Sequence, residues 1–365
     1  MPLTRALLCV GVATLTGLAG CNYPDRGQTV GRALSDLGLE TRDTAFDPPV
    51  MRMGTMPFDA WYSPLTPLTV DDLGHHRYET QGLLNERPHE TSRGTLYAVE
   101  AGFIDLAHTR NAIDLTRFAF ARLAASIYHG DDELRLVAAE PDVYVITLNR
   151  PAAWDDLDEA DTERLAEAQV AAIAIAGRVA YLMTTWHEVL TAYGYKGLGV
   201  VTERPSAFSY DDAVSHRLGV EAAMRALRLD TNLANFDRTV TATLHDVLTE
   251  VGAMPIEPML DRIAAAEGEF WSGGEPTLRV IDLGLDDEPL VARLVDDRIE
   301  PRRWSWDGEE RIGDQRISDL FDVEIELHTF EAGAIREAAG RDDGNIVPRR
   351  DFARLRTSLE NELRP

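Results

Sequence analysis

Apolar residues recur at helical intervals through most of the middle of this chain, and alternating runs are few and short. The stretch "GFIDLAHTRNAIDLTRFAFARLAASIY" has helical spacing and predicts one helix beginning near Phe103. "LRLVAAEPDVYVITL" alternates on both sides of Pro141-Asp142 and predicts a hairpin turning there. The longest helical segment runs from Asp156 to Tyr193 and is entered through an Asp-rich turn. A helix is predicted after "SAFSYDDAVSHRLG", where Ser209 and Asp212 have capping-box spacing, and another at "DRTVTATLHDVLTEVG". Toward the carboxyl terminus, "TLRVIDLG" and "VEIELHTF" read as strands, and a final amphipathic helix carries Phe352, Leu355, Leu359 and Leu363. The fold class expected is mainly α with minor β (α+β): a helical core over 71–270, with a small hairpin, followed by a strand-containing part and last helix over 271–365 packed on it. The Pro/Gly-dotted run through "FDPPVMRMGTMPFDAWYSPLTP" closes a tether and irregular wrap over 21–70.

The first twenty residues belong to a different argument, because targeting segments are removed before folding is considered. Arg5 precedes the apolar run "ALLCVGVATLTGLAG", and "LAGC" ends on Cys21 after two small residues, the pattern of a bacterial lipobox. That pattern implies cleavage before Cys21 and lipidation of its sulfur, so that the membrane is reached through lipid rather than a spanning helix. Asn22 is not the aspartate that retains such proteins at the inner membrane, which points to the periplasmic face of the outer membrane. Cys9 and Cys21 are the two cysteines, so the processed chain would hold no thiol for disulfides, thiolate ligands or cysteine nucleophiles. A formal charge of −26 argues against nucleic acid as a partner. Although "LAEAQVAAIAIAGRVAYLMTTW" is long and apolar, Glu167, Gln169 and Arg178 within it predict a buried helix instead of a bilayer span.

Familiar catalytic signatures are absent: there is no G-x-S-x-G elbow, P-loop or G-x-G-x-x-G. "HEVLT" has Thr191 where the second histidine of H-E-x-x-H would stand. What remains is polar residues on apolar helices. At about 100° per residue, Asp105, His108, Thr109 and Ala112 share one face, flanked by Leu106, Ile113 and Phe120, with Arg110, Asp114 and Arg117 pointing away. Around His187 the same count places Ala176, Ala180, Thr184, Thr191 and Gly194, a strip of small residues open to close approach by another helix. Each pair alone reads equally as hydrogen bonding within a core or at a helix end. Taken together they predict that Asp105 and His108 face His187. His75 and His76 read as surface residues or a source of a third ligand.

"DLGHHRYE", "GTLYAVEAGFIDLAHTRNAIDLT", "TTWHEVLTAYGYKGLG" and "SAFSYDDAVSHRLG" together resemble a bacterial envelope lipoprotein family catalogued as domain of unknown function 4056, over roughly Leu73 to Gly219. The resemblance implies lipoprotein identity and groups the four segments into one unit without naming a reaction. The expectation is a periplasm-facing protein with a buried His/carboxylate site, acting as a divalent-metal hydrolase on an envelope component. Asp105, His108 and His187 are the expected ligands of a divalent metal such as zinc, and Glu188 the general base. Two alternatives stand beside it: a non-catalytic envelope protein that binds a partner or stabilises an assembly, and a metal-free hydrolase using Ser206 or Ser209 with His216.

Overall fold

The computed structural model describes residues 48–52, 66–78, 90–91, 93–154, 162–196, 204–273, 275–284, 289–306, 311–312 and 314–363. The lipobox with Cys21, the tether and the Asp-rich turn before the long helix lie outside the described residues.

The order of the principal elements is β1 (Thr95–Ala98), β2 (Gly102–Asp105), α1 (Leu106–His129), β3 (Glu133–Val137), β4 (Val143–Leu148), α2 (Thr162–Ala192), α3 (Asp212–Leu229), α4 (Phe236–Glu250), α5 (Ile256–Ala266), β5 (Phe321–Glu326), α6 (Ala332–Ala338) and α7 (Pro348–Glu362). This is the expected mainly helical α+β architecture, with small antiparallel sheets. α1, α2 and α3 pack on one another, and α4 covers α3. The hairpin predicted at Pro141-Asp142 is present, and β5 joins it so that β4 is the central strand of three. Burial alternates along β3 and β5, which places Leu134, Leu136, Val323 and Ile325 on the core side. Val280, Leu283, Trp304, Ile335 and Phe352 from the carboxyl-terminal part enter the same apolar core as the helices.

Three local expectations need correction. "GFID" is not the first turn of a helix: it is β2, paired antiparallel with β1 in the register Thr95↔Asp105. The helix starts at Leu106 because Asp105 is its N-cap, extended at φ −81° and ψ 123°, with its carboxylate accepting the His108 N–H. "TLRVIDLG" forms no ladder; it is an extended segment with a single bridge, Ser209↔Arg279. Lastly, Arg110 and Asp114 do not point to solvent. Both are fully buried, because residues 48–52, 66–78 and 90–91 lie over that face of α1 and bring polar partners to it.

The long helix α2 is apolar enough to cross a membrane by length and composition, but 72% of its most apolar window is buried within the fold, as Glu167 and Arg178 predicted. The approach of α3 to α1 is set by Gly219, where an added Cβ would stand 2.1 Å from the Thr109 carbonyl oxygen. That contact brings the start of α1 against the first turns of α3.

Candidate metal centre

Three helices deliver the polar residues of one buried cluster. The Asp105 cap fixes the first turn of α1 and with it His108. α2 contributes His187 and Glu188 near its carboxyl end, and α3 contributes Asp212 in its first turn and His216 one turn later. His108 and His216 meet edge to face, with ring centroids 5.0 Å apart and planes at 60°. One ligand atom from each of His108, Glu188 and His216 lies within 4.8 Å of the other two. Glu188 and His216 are buried, whereas 21% of the His108 side chain is exposed, so the cluster opens on the His108 side.

The turn between α2 and α3 aims these groups. Phe208 is buried at φ 54°, a left-handed conformation that a bulky aromatic seldom adopts, and its N–H donates to Glu188 Oε2 at 3.0 Å. Asp212 Oδ1 lies 3.0 Å from His108 Nδ1, an ion-pair distance at which the N–H is out of line for a hydrogen bond. His216 Nδ1 is buried with no hydrogen-bond partner. A buried nitrogen without a partner forfeits about 1–3 kcal/mol, which a bound cation would recover.

The electrostatics have the same sense. Burial opposes charge on His108, but the carboxylates of Asp105, Asp212 and Glu188 outweigh it and hold the imidazole well above its usual range. Burial lowers His216 well below that range, and positive charge on His108 and His187 lowers it further. His216 is therefore a neutral imidazole at pH 7, the form that can ligate a metal. Burial and repulsion from Asp212 push Glu188 up to about 8, against the pull of His187 and His108. Asp211 is pushed up to about 7 by burial and by Asp212 and Asp105. The cluster thus sets a neutral His216 beside carboxyl groups whose protons a cation would displace.

Of the residues singled out in the sequence, His108 and Glu188 enter the three-residue set. Asp105 stands beside it as the helix cap. His187 is next to the set but its Nδ1 is 2.7 Å from Glu140 Oε1, a residue of the β3–β4 turn that is only 3% exposed. Its charge acts on both Glu188 and His216. His216, expected only in a serine-based alternative, takes no hydrogen bond from Ser209, whose hydroxyl lies against Asp211 and Asp212. His76 is neither a surface residue nor a third ligand. It is buried, with Nε2 2.9 Å from Asp114 Oδ1 and Nδ1 3.2 Å from Arg110. That second polar cluster, closed by Arg52 on Glu90 and Asp114, has positive and negative partners already matched.

Sequence reasoning named His216 only as a partner for serine and Asp212 only as a capping residue, and it missed Glu140 altogether. The signal for His216 was its spacing of three from Gly219, which puts both on one helix face, the face that then lies on α1. Nothing local in "AAEPDVY" marks Glu140, whose partner is 47 residues away.

The family model described as "Protein of unknown function (DUF4056)" matches residues 54–277, and the chain belongs to that family. All three members of the His108, Glu188 and His216 set fall inside the matched span. No curated protein and no solved structure matches the chain.

Proposed function

We propose that this member of the family is a lipid-anchored protein of the bacterial envelope that binds one divalent cation of the zinc class through His108, Glu188 and His216 and hydrolyses an envelope component. The observation that carries the reading is that one ligand atom from each of the three residues lies within 4.8 Å of the other two, in a cluster where His216 Nδ1 is buried with no hydrogen-bond partner. A tetrahedral ion with bonds of about 2.0–2.2 Å separates its ligand atoms by about 3.3–3.6 Å, so side-chain rotations of about an ångström would close the set. Two histidines and one carboxylate would hold such an ion with room for water, and its Lewis acidity would activate that water for hydrolysis near neutral pH.

Within this reading the chain's own groups divide the work. Glu188 is held by one oxygen on the Phe208 N–H and supplies one carboxylate oxygen to the set. Glu188, expected as the general base, serves here as a ligand, and His187 stands beside it, held at Nδ1 by Glu140. Asp105 serves as the cap that fixes His108. Cys21 carries the lipid and attaches the protein to the membrane, placing the site at the periplasmic face of the outer membrane, and the acidic surface keeps nucleic acid away.

A non-catalytic reading draws on the His108–Asp212 ion pair, which gives His108 a partner without metal. It gives none to His216 Nδ1. The test is hydrolysis of ester, amide and phosphodiester probe substrates by protein stripped of metal and reloaded with zinc, beside His216→Ala treated the same way. Zinc-dependent turnover lost in His216→Ala supports the reading, and a reloaded wild type no faster than the variant on every probe would remove it.

A further inference from the structure

The turn that leads into α3 contains more hydrogen-bond acceptors than protons, and the count assigns a direction to the bonds. Ser209 Oγ lies 2.7 Å from Asp211 Oδ1 and 2.9 Å from Asp212 Oδ1. The hydroxyl carries one proton and can donate to only one of them. The other contact needs a proton from a carboxyl. Asp211 is the group biased to hold it, since burial and the neighbouring Asp212 and Asp105 push it up to about 7. Asp211 then donates to Ser209, and Ser209 donates to Asp212. Asp212 Oδ2 meanwhile accepts the Ser209 backbone N–H at 2.6 Å. Both oxygens of Asp212 are thereby pinned as acceptors in a residue that is 1% exposed. The oxygen that receives the Ser209 hydroxyl is also the one 3.0 Å from His108 Nδ1.

We propose that Asp212 is the positioning residue of His108: held by Ser209 and Asp211, it keeps the proton on His108 Nδ1 and so reserves Nε2 for the cation. The inference rests on the metal reading above and specifies how that site is built. Histidine ligands characteristically donate their second nitrogen to a carboxylate, which fixes tautomer and ring orientation, and loss of such a partner weakens binding about 10- to 100-fold. The same turn orients Glu188 through the Phe208 N–H, so five consecutive residues, 208–212, set two of the three ligands while α3 directly after them carries the third.

The test uses the purified full chain, stripped by chelation and titrated with zinc, for wild type, Asp212→Ala, His108→Ala and the double variant. Asp212→Ala is expected to weaken zinc binding by about tenfold or more in the wild-type background and to have no further effect once His108 is alanine. Nitrogen NMR of the zinc-loaded wild type should show His108 protonated on Nδ1 and ligating through Nε2. Equal affinity in Asp212→Ala, the same loss in both backgrounds, or zinc on Nδ1 would overturn the assignment while leaving the metal site standing. A wild type that binds no zinc would remove the site and its positioning residue together. Should Asp212→Ala fail to fold, Ser209→Ala takes its place: binding several-fold weaker is expected, and unchanged binding counts against the proposal.

Discussion

The imidazoles of His108 and His216 stand with centroids 5.0 Å apart, yet their surroundings drive them to opposite protonation states. The carboxylates of Asp105 and Asp212 keep His108 charged in spite of its burial, while burial and that very charge keep His216 neutral. A divalent cation would replace the proton on His108 and use the lone pair of His216. Zinc binding should therefore release protons at pH 7, from His108 and from Glu188, which is pushed up to about 8. Affinity should climb as pH rises from 6 to 8. Calorimetry in buffers of different ionisation heat measures the release; a pH-independent affinity with no proton release would contradict the ligand assignment.

The metal-free protein should lose stability over about pH 6.5 to 8. The sign follows from which state holds more protons. Above 6.5 an unfolded His108 and Glu188 have released theirs, whereas in the folded chain both retain them to higher pH, Glu188 to about 8. Asp211 contributes in the same sense up to about 7. His216 acts oppositely, destabilising the fold as pH falls below 6.5, and is silent in this window. Melting temperatures of the stripped protein should fall from pH 6.5 to 8, and zinc should flatten the trend. A metal-free protein that gains stability over the same range would refute this account of the cluster.

Gly219→Ala tests the helix approach that builds the site. Its Cβ would sit 2.1 Å from the Thr109 carbonyl oxygen, so α3 must retreat from α1. Overpacking of this kind costs about 1–3 kcal/mol. The retreat should also weaken zinc binding, because His108 precedes Thr109 and His216 lies one turn before Gly219. Denaturant unfolding and zinc titration of the variant check both effects, and an unchanged affinity would show that the centre tolerates the displacement.

How much of this was legible in the sequence varies with the range of the interaction. Helices α1 to α4, the hairpin at Pro141-Asp142 and the last amphipathic helix follow from periodicity, which is local, whereas the shorter α5 and α6 were not predicted. The strand β2 was not, because "GFID" ahead of an apolar helix fits both periods until β1 pairs with it. The reading of Arg110 and Asp114 as solvent-facing failed because a helix wheel knows nothing of the residues 52, 76 and 90 that arrive to cover them. At the site, His108 and Glu188 stood out as polar groups amid apolar neighbours. His216 did not, since "SYDDAVSH" also satisfies the chemistry of a helix start.

Arg52→Ala should be among the most destabilising single changes away from the centre. Arg52 is 5% exposed and pairs with Glu90 and Asp114, so its loss takes a cation from two buried carboxylates, leaving Asp114 with His76 and Glu90 with the more distant Arg110. Removing one partner of a buried pair costs about 3–5 kcal/mol. The double variant Arg52→Ala/Asp114→Ala should lose less than the sum of the single changes, and strict additivity in denaturant unfolding would show that the two do not interact.

Cys21→Ser should abolish lipid attachment, leaving a soluble periplasmic form or an unprocessed precursor. Cell fractionation checks it. Normal processing with unchanged membrane association would rule out the tether.

The central claim is that His108, Glu188 and His216 hold one cation, and metal stoichiometry of the purified full chain tests it most directly. After stripping, addition of zinc and removal of the excess, about one zinc per chain is predicted for the wild type and almost none for a folded His216→Ala. No zinc retained by the wild type, or the same amount retained by His216→Ala, would contradict it.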